Sequence, residues 1–401
     1  MLKKRYDIIT CHPSKHHFYE QAHALSQKFN IRFLTSVYVP RLLLNVIKPF
    51  SKKLYQFLSK KSHPRLDTKY VVTHPATEID IFWKKLRGKN YNYYDGNKKF
   101  QHWVTKNFYP PKIFIGVDTA SGHIFNQWKG KSFLILDLVI ALPQYRNKVY
   151  QQALQDNTAL KPEDFHFSTE PELSIYKQEI ELADLILCGS EFVKSSCLDY
   201  GIPEERLKVI EYGVDLDIFK PSFFLQKDIN KFKMAFVGNF SIRKGSLLME
   251  ELMKRLVTYP NIELHVFGKA DQEQQKRFAS NTIFHGFIPQ QILKERLELC
   301  NIMVFPTYFE GSAYAVYQSM SLGLPVITTP NCGSIIDEHS GIIIPVNDAD
   351  ALENAVIKLY NEPFTVKTMG QAAHEKAQHY SWDAYGEKIR SLVSGILEKQ
   401  N

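Results

Sequence analysis

The sequence predicts two doubly wound α/β sheets in series, facing a central cleft, and three observations carry that expectation. At 401 residues the chain exceeds what one hydrophobic core ordinarily supports, and its 44% apolar content is ample for two. Short apolar runs rich in β-branched residues alternate with helical patterns, which implies parallel strands joined by right-handed crossovers. Between two groups of these units, Gly213-Val214-Asp215 is followed by Lys220-Pro221 and the polar Gln226-Lys227-Asp228, a linker composition. The expected division is residues 1–217, residues 218–380, and a terminal segment 381–401 that packs back on the first domain.

In the first domain, strands are expected at Tyr6–Thr10, Ile31–Val37, Ile113–Val117, Phe133–Asp137, Leu185–Cys188 and Leu207–Ile210. The second offers Met234–Val237, Ile262–Phe267, Ile302–Phe305, Val326–Thr328 and Ile342–Ile344. A late helix runs from Ala349 to Tyr360 with Asp348 as its cap, and Ser381-Trp382-Asp383 opens a last helix to about Leu397. Residues 66–110, rich in Tyr, Lys and Asn, show no pattern that separates helix from strand. Open parallel sheets bind ligands beyond the carboxyl ends of their strands, so the chemistry is expected in the loops that follow strands.

Composition narrows the function classes. The opening Met1–Thr10 leads into a strand pattern and not into the apolar core of a signal peptide, and no stretch approaches the length of a membrane span. Five scattered cysteines without CxxC pairing argue against a disulfide framework or a structural zinc site, which points to the cytoplasm. Much of the net charge of +8 sits between Arg41 and Arg65, a run with seven Lys or Arg residues and no acid. There Phe50, Leu54, Phe57 and Leu58 recur at helical spacing opposite Lys52, with Pro49 starting or kinking the helix. Two readings stand side by side: an ordinary helix packed on its own domain, or a basic amphipathic helix docked on an anionic membrane surface. No nucleic-acid module accompanies the charge, so nucleic acid is not an expected partner.

The strand Ile302–Phe305 runs into Pro306-Thr307-Tyr308-Phe309-Glu310-Gly311-Ser312-Ala313-Tyr314, where a helix begins. Free backbone N–H groups from Gly311 to Tyr314 and the positive end of that helix suit a diphosphate, with Gly311 permitting close approach. Glu310 stands where it accepts hydrogen bonds from sugar hydroxyls, and Gln318 where its amide holds a ribose. Spacing alone favours a plainer reading, a carboxylate that only stabilises the first turn.

The surrounding residues reverse that preference. Phe309-Glu310-Gly311, the eight-residue spacing to Gln318, and Ser321-Leu322-Gly323-Leu324-Pro325-Val326-Ile327 resemble the donor-binding segment of the GT4 family of retaining glycosyltransferases, glycosyl transferases group 1. Val237-Gly238-Asn239-Phe240 with Arg243-Lys244-Gly245 is similar to the family's phosphate-binding loop, and His285-Gly286-Phe287-Ile288-Pro289 to its turn near the nucleobase. Ser190-Glu191-Phe192 and Tyr212-Gly213-Val214-Asp215 resemble the approach to the linker. The resemblance covers about residues 180–345, and the N-terminal part matches only in outline.

It implies a GT-B fold: a Rossmann-like acceptor domain followed by one that holds a nucleoside diphosphate sugar. It also implies no cofactor and no metal, so that Arg243 and Lys244 meet the leaving-group charge. Glu310, Lys244, Arg243 and Asp137 become the catalytic candidates. Gly238, Asn239, Arg243, Lys244, Gly311, Ser312, Ala313, Tyr314, Gln318, His285 and Phe287 become the donor-binding ones.

Departures are plain. Gln318 stands where the family commonly has a second glutamate, Asn239 where an Arg is usual, and Ala313 where a second Gly is common. His12-Pro13-Ser14-Lys15-His16-His17 replaces the glycine-rich N-terminal loop, with Lys15 and the histidines open to phosphate or acceptor. Asp137 stands where many members carry a His near the reacting carbon, either binding the sugar or acceptor or capping a turn. Asp118 and His123 are weaker candidates of that kind. Cys11 with His12, His16 and His17 fits no standard metal spacing, and the DxD-like Asp215-Leu216-Asp217 and Asp348-Ala349-Asp350 read as a turn and a cap. The resulting expectation is a cytoplasmic or peripherally membrane-bound enzyme moving a hexose-type residue to a glycan or lipid-linked hydroxyl, as in cell-surface polysaccharide or lipopolysaccharide synthesis. Its rivals are a GT-B epimerase or phosphorylase and a non-catalytic relative that binds sugar nucleotide or glycan.

Overall fold

The computed structural model describes residues 4–14, 16–88, 93–158, 160–222 and 228–400. Lys15 of the first loop and Gln226-Lys227 of the linker lie outside these, as do the side chains of Lys52, Lys53 and Phe57.

The first half places its β-branched runs in seven strands: Ile8–Cys11 (β1), Ile31–Thr35 (β2), Val71–Thr73 (β3), Ile113–Val117 (β4), Phe133–Leu138 (β5), Leu185–Cys188 (β6) and Leu207–Val209 (β7). They pair in the order β3-β2-β1-β4-β5-β6-β7, every neighbour parallel. The second half holds Phe232–Val237 (β8), Ile262–Phe267 (β9), Thr282–Gly286 (β10), Ile302–Phe305 (β11), Val326–Thr328 (β12) and Gly341–Ile343 (β13), again all parallel, in the order β10-β9-β8-β11-β12-β13. Helices cover both faces, so central strands such as β4 and β11 are buried along their whole length. In each sheet the winding direction reverses beside the first strand, at β1/β4 and at β8/β11. The loops that leave those strands diverge to opposite faces and open a crevice, which is where ligands bind in such sheets.

All eleven expected strands are present, within a few residues of their expected ends. The two that sequence reading missed, β3 and β10, are edge strands. Residues of β10 are all half-buried, so Thr282–Gly286 lacks the continuous apolar run that marks a central strand, and His285-Gly286 ends a strand where a turn was expected. Residues 66–110 contain β3 and the helices Ala76–Leu86 and Tyr93–Asn107.

The basic run is corrected from one helix to two, Arg41–Ile47 and Lys52–Ser59. Ser51, not Pro49, caps the second by accepting the Leu54 N–H at 3.2 Å. Phe50 lies in the turn between them, 84% exposed. The final helix, Trp382–Gln400, opens with Ser381 Oγ accepting the Ala384 N–H at 3.0 Å and returns to the first half, where Tyr385, Ile389 and Val393 are buried with Ala24 of helix Phe18–Ser26. Asp215 accepts the N–H groups of Asp217 and Ile218 at 3.1 Å, and Asp348 accepts that of Ala351 at 2.8 Å, a turn and a cap as expected. The five cysteines are free and buried.

Candidate active site

The loop after β8 starts at Gly238, whose φ of +132° suits only glycine and whose N–H donates to Phe267 O at 2.8 Å. One tight turn, Ile242–Lys244, then leads into helix Ser246–Arg255. The neighbouring loop, after β11, is tied to this turn: Tyr308 N–H and Thr307 Oγ1 both donate to Arg243 O, at 2.9 and 3.0 Å. With the backbones joined, the side chains converge. Arg243 Nη1 donates to Phe309 O and to Glu310 Oε1, each at 2.6 Å, and Lys244 Nζ lies 3.2 Å from the same carboxylate oxygen. Lys244 Nζ also stands 3.0 Å from where a β-carbon at residue 238 would be, so its amine lies directly over Gly238.

One carboxylate between two cations leaves a surplus positive charge at the crevice. The N–H groups of Gly311, Ser312 and Ala313 make no hydrogen bond among the described residues, and helix Tyr314–Ser321 begins just beyond them. The helix starts at Tyr314, with Ala313 as its cap residue. Unfilled donors, a helix start and a surplus cation together suit a phosphate-bearing ligand. Glu310 Oε1 already receives Arg243 and Lys244, a pairing that the sequence did not announce.

Gly311 is fixed by a different constraint. A β-carbon there would fall 2.0 Å from Val139 O in the loop after β5, so glycine lets the backbones of the two halves touch. Ser190 Oγ donates to Gly311 O across the same seam. Beside it Phe309 packs on Phe192 and Tyr150, with ring centroids 5.8 and 6.3 Å away.

Gln318 and Phe287 meet in a separate cavity of about 640 Å³, together with Ser59, Lys60 and Pro289. Lys60 Nζ sits 4.0 Å from the Phe287 ring centroid, so the basic run of the first half reaches the second. His285 does not line this cavity. It stacks on Phe267 at 4.5 Å and stands 3.0 Å from His265 Nδ1, and burial lowers its pKa to about 4. Asn239 is exposed at the start of the loop after β8.

The family described as glycosyl transferases group 1 matches residues 218–376, the stretch that contains both loops and the Gln318 cavity wall. Residues 218–376 are thus similar to the GT4 family of glycosyltransferases, a match that covers less than half of the chain. A D-inositol 3-phosphate glycosyltransferase of Kribbella flavida is 24% identical over 236 residues, 52% of this chain and 55% of that protein, so the alignment spans about half of the relative's length. Among solved structures, sucrose-phosphate synthase from Thermosynechococcus elongatus superposes with a TM-score of 0.69 at 17% identity, covering 98% of this chain and 99% of that one. HepE of Anabaena, solved in complex with UDP-glucose, gives 0.65 at 13% identity over 98% and 100% of the two chains. The two parallel sheets are thus a GT-B fold.

The first half departs from the expected picture. Asp137 ends 2% exposed: His17 Nε2 lies 2.9 Å from its Oδ2, and Gln21 Nε2 donates to the same oxygen at 2.9 Å. Gln21 in turn bonds Thr10 and Tyr385. Burial pushes Asp137 up to about 8 and His17 down to about 3, each toward its uncharged form. Asp137, expected to bind sugar or acceptor or to cap a turn, thus lies at the centre of a buried hydrogen-bond network. His123 stacks on His102 at 3.9 Å, outside the crevice loops. Asp118, the weaker candidate, does line a cavity, with His12 opposite. Nothing in the sequence ranked it above Asp137, because both are single acids at strand ends.

Proposed function

We propose that the chain is a retaining glycosyltransferase that moves a hexose-type residue from a nucleoside diphosphate sugar to a hydroxyl of a glycan or lipid-linked acceptor, in cell-surface polysaccharide or lipopolysaccharide synthesis. The convergence of Arg243 and Lys244 on Glu310, at the point where the second sheet reverses direction, carries this reading. The diphosphate takes the place beside Arg243, Lys244 and the free N–H groups of Gly311–Ala313, and Glu310, released in part from its cations, turns to the sugar hydroxyls. Gln318 holds the ribose. In the transfer step the bond between the anomeric carbon and the β-phosphate oxygen breaks, the acceptor hydroxyl oxygen bonds to that carbon on the same face, and its proton passes to the departing phosphate. Arg243 and Lys244 stabilise the charge that develops on the leaving group without a metal. Residues 1–217 present the acceptor and residues 218–380 the donor, with the terminal segment 381–401 fastening the two.

The chain works at the inner face of the cell membrane. The support is the helix pair Arg41–Ile47 and Lys52–Ser59, where Leu42 is 81% exposed beside Val46 and Phe50, amid the basic residues. No helix among the described residues is long and apolar enough to cross a membrane. Exposed apolar side chains within a run of basic sequence favour an interfacial contact with anionic lipid.

The test is turnover across a panel of nucleotide sugars. Wild type consumes at least one donor. Lys244→Ala lowers kcat by about 10²-fold, and Glu310→Ala abolishes transfer while binding nucleoside diphosphate at least as tightly, because a competing anion is gone. Binding of donor without consumption of any sugar nucleotide would leave a non-catalytic binder; consumption without an acceptor would mark an epimerase or phosphorylase.

A further inference from the structure

Three titratable side chains form one hydrogen-bonded line from the interior toward the crevice. Asp137 Oδ2, at the end of β5, lies 2.9 Å from His17 Nε2, and His17 Nδ1 faces His16 Nδ1 within hydrogen-bond distance. Asp137 and His17 are each 2% exposed, whereas His16 is half-buried. We propose that Asp137 and His17 are positioning residues that fix the tautomer of His16, so that its Nε2–H is held out as a hydrogen-bond donor to the diphosphate of the nucleotide sugar. The ligand in this inference rests on the transferase reading, and the tautomer on the line's own chemistry.

Proton counting decides which nitrogen of His16 carries its hydrogen. Two Nδ1 atoms that face each other share one proton, so one ring donates and the other accepts, and each ring's remaining nitrogen follows. With three protons on the line, either the Asp137 carboxyl donates to His17 Nε2 and His17 Nδ1–H to His16, or an Asp137 carboxylate accepts from a doubly protonated His17. In both placements His16 Nδ1 accepts and its own proton lies on Nε2. A proton on Asp137 Oδ1 would instead have no acceptor among the described residues. With two protons the order reverses: His17 donates through Nε2, His16 donates through Nδ1, and a bare Nε2 meets the ligand.

Burial selects the three-proton line, which has no net charge. No Lys or Arg among the described residues pairs with Asp137, and burial raises its carboxyl to about 8 while lowering His17 to about 3. A buried carboxylate with no cation is the costlier state. A diphosphate in the crevice adds negative charge and disfavours it further. His12, stacked on His16 with ring centroids 5.7 Å apart, is kept uncharged by burial and supplies no competing cation.

Position connects this nitrogen to the phosphate. His16 lies in the loop after β1, where the first sheet reverses direction, and Tyr314 follows the loop after β11, where the second does; their ring centroids are 6.0 Å apart. Tyr314 begins the helix whose preceding N–H groups, Gly311 to Ala313, are unfilled. His16 keeps part of its surface open, and its Nε2 makes no hydrogen bond among the described residues. A ring N–H presented here adds a contact from the first half to those that Arg243, Lys244 and Gly311–Ala313 supply from the second, so the diphosphate bridges the halves.

The experiment reads the tautomer of His16 by two-bond 1H–15N NMR of the histidine-labelled chain at neutral pH, with the His16 signals assigned by their loss in His16→Gln. It is paired with calorimetric titration of UDP, GDP and ADP into wild type and variants. His16 is expected to be neutral with its proton on Nε2. A glutamine amide places an N–H where Nε2 stands without help from the line, whereas an asparagine amide reaches only His17. His16→Gln therefore keeps nucleotide affinity within about twofold and His16→Asn loses about tenfold, the size of one hydrogen bond to a charged group. His17→Gln keeps the contact to Asp137 but frees His16 Nδ1, so it lowers affinity in the wild-type background and not in His16→Gln. A proton on His16 Nδ1, a His16→Asn variant that binds like wild type, or an undiminished His17→Gln effect in the His16→Gln background would overturn the inference alone. Wild type that binds none of the three nucleotides sinks the transferase reading, and the diphosphate ligand with it, whatever the tautomer.

Discussion

At the scale of single residues, Glu310 and Asp137 show how environment decides what a carboxylate does. Glu310 lies at the crevice with two cations on one oxygen, and in the proposed complex a diphosphate competes with it for both. Asp137, at the end of an adjoining strand in the other half, is sealed with His17 and Gln21. Its folded-state carboxyl keeps a proton up to about pH 8, whereas an unfolded aspartate loses it near 4, so the stabilisation present below the unfolded value is lost as pH rises toward 8. His17 acts in the other sense: its depressed pKa gives stability that is present above about 6.5 and lost as pH falls toward 3. Asp137→Asn stays neutral at every pH and keeps an amide for both neighbours. Chemical denaturation between pH 5 and 8 is expected to show the wild type losing stability relative to this variant, with a slope no steeper than about 1.4 kcal/mol per pH unit; parallel curves would mean that the carboxyl is already charged at pH 5. In the sequence, Glu310 stood out only because Phe309-Glu310-Gly311, Gln318 and the residues after them resemble one family segment. Asp137's partners are 116 and 120 residues away, and no local pattern announces them.

At the scale of elements, every central strand was legible, while two of the four edge strands, β3 and β10, were not. A strand buried on both faces must be apolar throughout, as Ile302–Phe305 is, while β3 and β10 pair on one side only and tolerate Thr and His. The basic run was legible in composition but not in shape, since the chain turns at residues 48–51 and divides one amphipathic pattern into two short helices. That geometry brings Phe50 to the tip and Lys60 to Phe287 at the donor side. The pair Leu42→Ser and Phe50→Ser is expected to reduce sedimentation with phosphatidylglycerol vesicles severalfold, with Tm unchanged because both side chains are exposed. Equal sedimentation of wild type and variant would remove the membrane assignment for these helices.

At the scale of the whole molecule, the two sheets meet through small contacts at the seam, and the last helix, which follows the second sheet in the chain, packs on the first half. Gly311 against Val139 O sets how closely the halves approach. Gly311→Ala would drive a methyl group into that carbonyl, and a displacement of about 1 Å between reacting groups lowers rate by about 10²-fold; the expected signature is a loss of kcat with nucleoside diphosphate affinity nearly kept. Helix Trp382–Gln400 buries Ile389 in the core of the first half, and Ile389→Ala is expected to lower stability by about 2–5 kcal/mol, measured by urea denaturation. The seam was invisible in the sequence, which shows Gly311 as a glycine in a phosphate loop but not the distant backbone on which it rests.

The most direct measurement is calorimetric titration of UDP, GDP and ADP into wild type, Lys244→Ala and Glu310→Ala. A cluster built for the diphosphate binds at least one of the three, loses tenfold or more in affinity with Lys244→Ala, a charge-assisted contact, and keeps or gains affinity with Glu310→Ala. Affinity that ignores Lys244, or that collapses with Glu310→Ala, would place the diphosphate elsewhere and contradict the site.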